Sequence, residues 1–313
     1  MKSALFNQPR TSIAADPKDY SVRSRFFQPP PEFDGCFTTF YRLILEVDGE
    51  GTVEDYLQPE WGNIRFFAGG RPVAQLGDTS VTAPRLSATG PSSLPCRFEL
   101  GASRMWGIGF LPLGWARFMD VDAYDRVNSV SDGAADPVFA KFDCMSDVLC
   151  NPDISEEDQL ASIVENMRAL MRPNRDEPKI LRVHAALVDE NLASVGELAD
   201  ASGMSVRTLE RVCRRYFGFT PKLLMRRQRF MRSLTTFMLN QGQRGGNRWT
   251  ESMDEHYHDQ AQFTREFHTF MTMNPSEYAS LDHPILSSFV EARARVWGSA
   301  AQTLDKPDSR TPR

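Results

Sequence analysis

In the stretch VRTLERVCRRYFG, Arg207, Thr208, Glu210, Arg211, Arg214 and Arg215 fall on one side of a helical wheel, and Val206, Leu209, Cys213 and Tyr216 on the other. Side chains of these types do recognition chemistry rather than bond-making. Arginine donates to a guanine edge or a phosphate, and glutamate accepts from cytosine. Lys222, a little further on, adds a point charge. A second set returns fifty-four positions later (263 − 209 = 54): QAQFTREFHTF sets Phe263, Phe267 and Phe270 inward and Gln260, Ala261, Thr264, Arg265 and His268 outward. Glutamine at such a place suits adenine. A basic face can equally be plain solvated surface, so the elements that carry it decide.

Those elements have sharp ends. Ser194 and Glu197 make a capping box, Gly203 closes the helix where positive φ is needed, and Ser205 caps the next helix. Two short helices joined by a tight glycine turn, the second bearing arginines, form a helix-turn-helix that lays its second helix in the DNA major groove. Gly218, Thr220 and Pro221 end that helix and start a long one running to about Leu239. Asp259 caps the second outward set, and Asn274-Pro275 repeats Thr220-Pro221. From Gly203 to Arg232 there are nine Lys or Arg and one acid (9 − 1 = +8), inside a chain whose formal charge is −5. A local excess of this kind is expected of a phosphate-binding surface.

The stretch from about Lys179 to Asp282 resembles the DNA-binding domain of AraC/XylS-type transcription regulators. The resemblance implies a C-terminal all-α half with two helix-turn-helix units, entering successive major grooves of double-stranded promoter DNA. It implies base-edge contacts from Arg207, Glu210, Arg211, Gln260, Thr264 and Arg265, and phosphate contacts from Thr208, Arg214, Arg215 and Lys222. The second unit departs from the family pattern: Glu251, Ser252 and His256 stand where an Ile-Ala pair and a turn glycine are usual, after the glycine-rich connection of residues 241–247. That unit is expected to be held more loosely than the first.

The 313 residues suggest two domains, and 41% hydrophobic with 25% charged residues is ordinary for a soluble globular chain. No basic-plus-apolar leader opens the sequence and no apolar run approaches about 20 residues. A cytoplasmic protein without a membrane partner is expected. Cys36, Cys96, Cys144, Cys150 and Cys213 form no CxxC pair and read as reduced thiols at core positions. Residues 1–35, with Pro29-Pro30-Pro31, read as an arm without a core of its own. From Phe37, short aromatic and β-branched runs (FTTFYRLILEV, NIRFF, CRFEL, RMWGIGF) alternate with turn residues, giving an antiparallel β-barrel or sandwich over residues 36–172. Helices are expected from Leu111 and, opened by Ser155, from Ile154. The fold class is therefore α+β and multidomain. Residues 173–178 form a polar linker, 179–282 the helical half, and 283–313 one more helix with a disordered tail.

The N-terminal half resembles the cupin-like sensor halves of the same regulators, around PRLSATGPSSLPCRFELGASRMWGIGFLPLGWARF. This implies binding of a small-molecule effector, or dimerisation into a homodimer, with RNA polymerase as a further partner. Trp106, Phe110, Trp115 and Phe118 are either lining of an effector pocket or plain core, and Arg97 and Arg104 surface strand residues. The alternative is a cupin-like enzyme, or a repair protein, fused to a DNA-binding domain. Its metal would need histidines, and all five (184, 256, 258, 268, 283) fall after the linker. His256 and His258 beside Asp259 lack a third ligand and read as solvated loop. No cofactor, metal or catalytic residue is expected.

Overall fold

A computed structural model of the chain describes residues 20–241, 249, 252–255 and 257–307. The described residues of the N-terminal half form ten strands: β1 (Tyr20–Phe27), β2 (Phe37–Val47), β3 (Thr52–Leu57), β4 (Asn63–Gly69), β5 (Val73–Leu76), β6 (Thr79–Thr82), β7 (Leu86–Thr89), β8 (Cys96–Gly101), β9 (Ser103–Phe110) and β10 (Val130–Asp132). They pair antiparallel in a six-stranded sheet, β1-β2-β9-β4-β7-β10, and a four-stranded sheet, β3-β8-β5-β6. Strand periodicity sends alternate side chains to opposite faces. On the six-stranded sheet, Tyr41, Leu43, Phe67 and Met105 face the four-stranded sheet. Their neighbours Phe40, Phe66 and Trp106 face a helical layer behind. Both faces are buried, so β2 and β4 read as nearly continuous apolar runs rather than alternating ones.

Residues 20–27 are not a coreless arm. They pair with β2 from Tyr20↔Val47 to Phe27↔Phe40, ahead of the three prolines that end the strand. The expectation for residues 1–19 lies outside the described residues. Behind the sheet lie α1 (Pro112–Phe118), a single turn α2 (Ser146–Leu149) and α3 (Glu156–Leu170), the last capped by Ser155 accepting from the Asp158 amide at 3.1 Å. Trp106, Phe110, Trp115 and Phe118 are all buried in this helical layer. They are core, and the cavity described below is lined by other side chains.

The helical half contains α4 (Glu177–Leu187), α5 (Val195–Ala201), α6 (Val206–Val212), α7 (Pro221–Gln241), α8 (Gln260–Met271), α9 (Pro275–Ala279) and α10 (Leu286–Trp297). The stretch expected to be a linker is packed. Helix α4 begins inside it, and the buried Asp176 accepts a hydrogen bond from Tyr216 at 2.9 Å. One apolar core runs across this junction, from Trp61, Phe110 and Trp115 to Leu198, Leu209, Cys213, Phe217 and Leu224. A second core holds α8, α9, α10 and the C-terminal part of α7. The helix-turn-helix of α5 and α6 and the expected second recognition helix, α8, thus belong to different cores joined by α7, and no α-helix precedes α8 among the described residues of 242–259.

Residues after α10 are also ordered as far as 307. Gln302, Thr303 and Asp305 are buried, and only 308–313 of the expected tail lie outside the described residues. Of the five free thiols, Cys36, Cys96 and Cys213 are buried, Cys150 is half-buried and Cys144 is exposed, so Cys144 is not a core residue.

Candidate nucleic-acid interface

The first helix-turn-helix folds as its end signals require. Ser194 accepts from the Glu197 amide at 3.2 Å, and Glu197 returns an acceptor to the Ser194 amide at 3.3 Å. Gly203 turns at φ +65°, a conformation that would strain any residue with a Cβ. Ser205 accepts from the Thr208 amide at 3.3 Å to open α6. Leu209, Val212, Cys213 and Tyr216 are buried beneath it, but Val206 is 45% exposed and sits on the outer side, contrary to the sequence pattern. Its place at the first helical position, before the core face closes, leaves nothing for it to pack against. From Cys213 to Phe217 the helix widens into a π turn before Gly218 at φ +84°.

Arg207, Glu210 and Arg211 are exposed on α6, as a base-reading role requires. Thr208 is half-buried, its hydroxyl 3.0 Å from the Ser205 hydroxyl, so part of its bonding is spent on the cap. Lys222 is exposed at the start of α7. Arg214 and Arg215 are exposed too, yet each meets a partner in the loop after α1. Arg214 lies over the Tyr124 ring at 5.0 Å, and Arg215 Nε is 3.3 Å from Asp122 Oδ1.

The +8 stretch is less available than its count implies. Glu266 takes both Arg226 (2.8 Å) and Arg229 (2.6 Å), and Asp254 takes Arg232 at 2.5 Å. Arg227 is fully buried over the Trp61 ring at 4.0 Å, donating to the Ser92 carbonyl at 2.9 Å. Burial pushes its guanidinium down to about 9. The π face of Trp61 works the other way and favours the charged form. The solvent-facing excess therefore reduces to Arg207, Arg211, Arg214, Arg215 and Lys222. The acids that neutralise Arg226, Arg229 and Arg232 lie twenty or more residues away, and Arg227 is taken up by Trp61, where a local count does not reach.

Around α8 the described residues pack closely, while most of the connection 241–247, with Glu251 and His256, on which the expectation of a looser unit rests, lies outside the described residues. Asp259 accepts from the Gln262 amide at 2.6 Å to cap α8, and Phe263, Phe267 and Phe270 are buried. Trp249 stacks on Phe237 at 3.4 Å and meets Phe267 edge-on at 4.8 Å. Tyr257 donates to Glu266 at 2.8 Å. Gln260 and Arg265 are exposed on the outer face, and Thr264 is half-buried with its hydroxyl donating to the Gln260 carbonyl at 2.9 Å. Ser252 is buried, while Glu251 and His256 lie outside the described residues.

A family model described as bacterial regulatory helix-turn-helix proteins of the AraC family matches residues 189–226, which span α5, α6 and the first turns of α7. The chain carries an AraC-family helix-turn-helix. That makes it a DNA-binding regulatory protein, with an antiparallel β-rich half in front of the AraC-family segment. No curated protein matches the chain. Among solved structures it is similar to ToxT from Vibrio cholerae, at 9% identity and a TM-score of 0.41, over 84% of this chain and 98% of that one. An unsaturated fatty acid-bound ToxT from Vibrio cholerae gives 10% identity and 0.36, over 84% and 95%. The AraC-like transcriptional activator CuxR gives 16% and 0.24, over 67% and 85%. No described helix is long and apolar enough to cross a membrane.

A cavity of about 100 Å³ lies between the sheets, where a single water needs about 10–15 Å³. Its walls come from both sheets and from α10, which contributes Phe289, Val290 and Arg293. Helix α10 is pinned there by the buried Asp55 of β3, which accepts from the amides of Ile285 (2.9 Å) and Leu286 (2.7 Å) and lies 3.1 Å from His283 Nδ1. Sequence reading missed this wall, since its residues stand some two hundred positions from the strands they cover.

Proposed function

We propose that the chain binds promoter DNA through α6 and α8 and that the cavity between the sheets receives a small effector. Arg207, Glu210, Arg211, Gln260, Thr264 and Arg265 contact base edges in this reading. Thr208, Arg214, Arg215 and Lys222 contact phosphates. The observation that carries it is the exposure of Arg207, Glu210 and Arg211 on a helix capped by Ser205 within the AraC-family segment. Residues 36–172 act as the sensor half, 173–178 as the junction and 179–282 as the reader. Helix α10 makes the sensor's wall. The chain catalyses no reaction of its own and works in the cytoplasm. RNA polymerase and a second copy of the chain are its further partners.

Selection of duplexes from a random pool by the full-length protein tests the DNA reading. One recovered motif, bound with a log–log salt slope of about −0.9 per phosphate contacted, is the expected result. Recovery of no motif, or binding indifferent to salt, overturns it.

A further inference from the structure

Charge enters the cavity only in closed pairs. Arg65 donates through Nη2 to both Glu60 oxygens, at 2.6 and 2.8 Å, and through Nε to the Tyr41 hydroxyl at 3.0 Å. Burial alone would pull its proton off more easily, but the Glu60 charge outweighs that and holds it above the usual arginine range. Arg293, fully buried on α10, donates to Asp305 at 2.5 Å and to the Ser299 carbonyl at 2.6 Å. Within each pair the charges cancel, so the walls offer neither an uncompensated cation to an anion nor an open carboxylate to a cation. Most of the remaining lining is hydrocarbon and ring, including Leu43, Phe67, Leu100 and Phe289. Of the donors on the lining, one is both enclosed and unmade. The Nε–H of Arg293 is enclosed and makes no hydrogen bond among the described residues.

We propose that the cavity takes an uncharged, mainly apolar molecule carrying one acceptor oxygen, a medium-chain alcohol, ketone or ester, with Arg293 Nε–H donating to that oxygen. The inference rests on the effector reading above and adds the ligand's chemical class. A charged head group would have to leave water without a counter-ion, a loss that the apolar chain does not recover. A neutral oxygen costs far less to desolvate and satisfies a donor that is otherwise unmade. Because Arg293 sits on α10, the ligand's head is held by the segment that follows the second helix-turn-helix, and its tail by the sheets.

The test compares three eight-carbon probes on the full-length protein at neutral pH: 1-octanol, octanoate and octylammonium. Saturable binding of 1-octanol is expected, read as a rise in Tm and by calorimetry, with octanoate and octylammonium at least tenfold weaker. Ala74→Phe fills the cavity from β5, where Ala74 is 4% exposed, and removes octanol binding. As that variant can misfold, the double variant Arg293→Met, Asp305→Leu provides a second reading: it keeps an apolar wall, deletes the donor, and weakens octanol roughly three- to tenfold, the worth of one hydrogen bond. Octanoate or octylammonium binding as tightly as octanol overturns the ligand class and leaves the effector site standing. Failure of all three to bind overturns both.

Discussion

Replacing Asp122 by Ala should make the protein bind DNA more tightly, although Asp122 lies in the N-terminal half. Arg215 and Arg214 are held by Asp122 and Tyr124 in the free protein, and both contacts compete with phosphates for the same guanidinium groups. The Arg215–Asp122 pair is 3.3 Å long with side chains 45% and 55% exposed, so water and salt screen it. Exposed pairs of this kind are worth about 0.2–1 kcal/mol. An exposed cation–π contact is worth about 0.5–1 kcal/mol. Removing the carboxylate spares the complex the first cost, which corresponds to roughly a 1.4- to 5-fold lower Kd; removing the ring as well, in Asp122→Ala, Tyr124→Ala, brings the gain to roughly 3- to 30-fold. Fluorescence anisotropy with the selected duplex measures this at one fixed salt concentration, with Arg215→Ala as the control that removes the cation itself. The reasoning is refuted if Asp122→Ala binds no tighter than the parent while Arg215→Ala binds more weakly.

Arg211→Ala should cost about 1–3 kcal/mol of DNA affinity and relax preference at one base pair, seen by repeating the duplex selection with the variant. Arg227→Met should leave Tm within about 3 °C of the parent or raise it, because the buried cation has no carboxylate partner among the described residues and an apolar isostere avoids its desolvation; a fall well beyond that in a thermal melt contradicts this account. Asp55→Ala strips the Ile285 and Leu286 amides of their acceptor and should speed hydrogen exchange across 285–297 while leaving α6 protected. The Lys179 ammonium and the Tyr216 hydroxyl hold the Asp176 carboxyl below its ordinary value. Its folded value being the lower one, the stability it contributes is complete above about pH 3.9 and is lost as pH falls through the folded value, so Asp176→Asn should flatten the acid side of a Tm–pH curve.

Local signals were the legible ones. Ser194, Glu197, Gly203, Ser205 and Asp259 act on amides within three or four positions, and the helix-turn-helix could be drawn from them. The strand Tyr20–Phe27 was legible too, since Tyr20, Val22, Ser24 and Phe26 alternate with exposed residues, although the prolines that follow it resemble an unpaired arm. What depends on distant partners was hidden. Glu266 neutralising Arg226 and Arg229, Trp61 beneath Arg227, and Asp122 beside Arg215 each join segments that no periodicity links. Trp106, Phe110, Trp115 and Phe118 fit either a pocket lining or plain core in the sequence, and their rings point to the layer behind the sheet. A one-residue shift in facing decides between core and pocket, and a strand buried on both faces gives no alternation by which to choose.

The wall supplied by α10 also sets an order on synthesis. A ribosome makes the strands first, then both helix-turn-helix units, and only afterwards the residues that bond to Asp55 and cover Leu43, Phe67 and Leu100. Until then the cavity between the two sheets stands open to water on the side that α10 covers, an apolar surface of the sort that draws chaperones or partner chains. A message cut short after residue 282 would yield a chain with α6 and α8 encoded and the cavity between its sheets uncovered, so a closed cavity certifies that translation has passed through both helices.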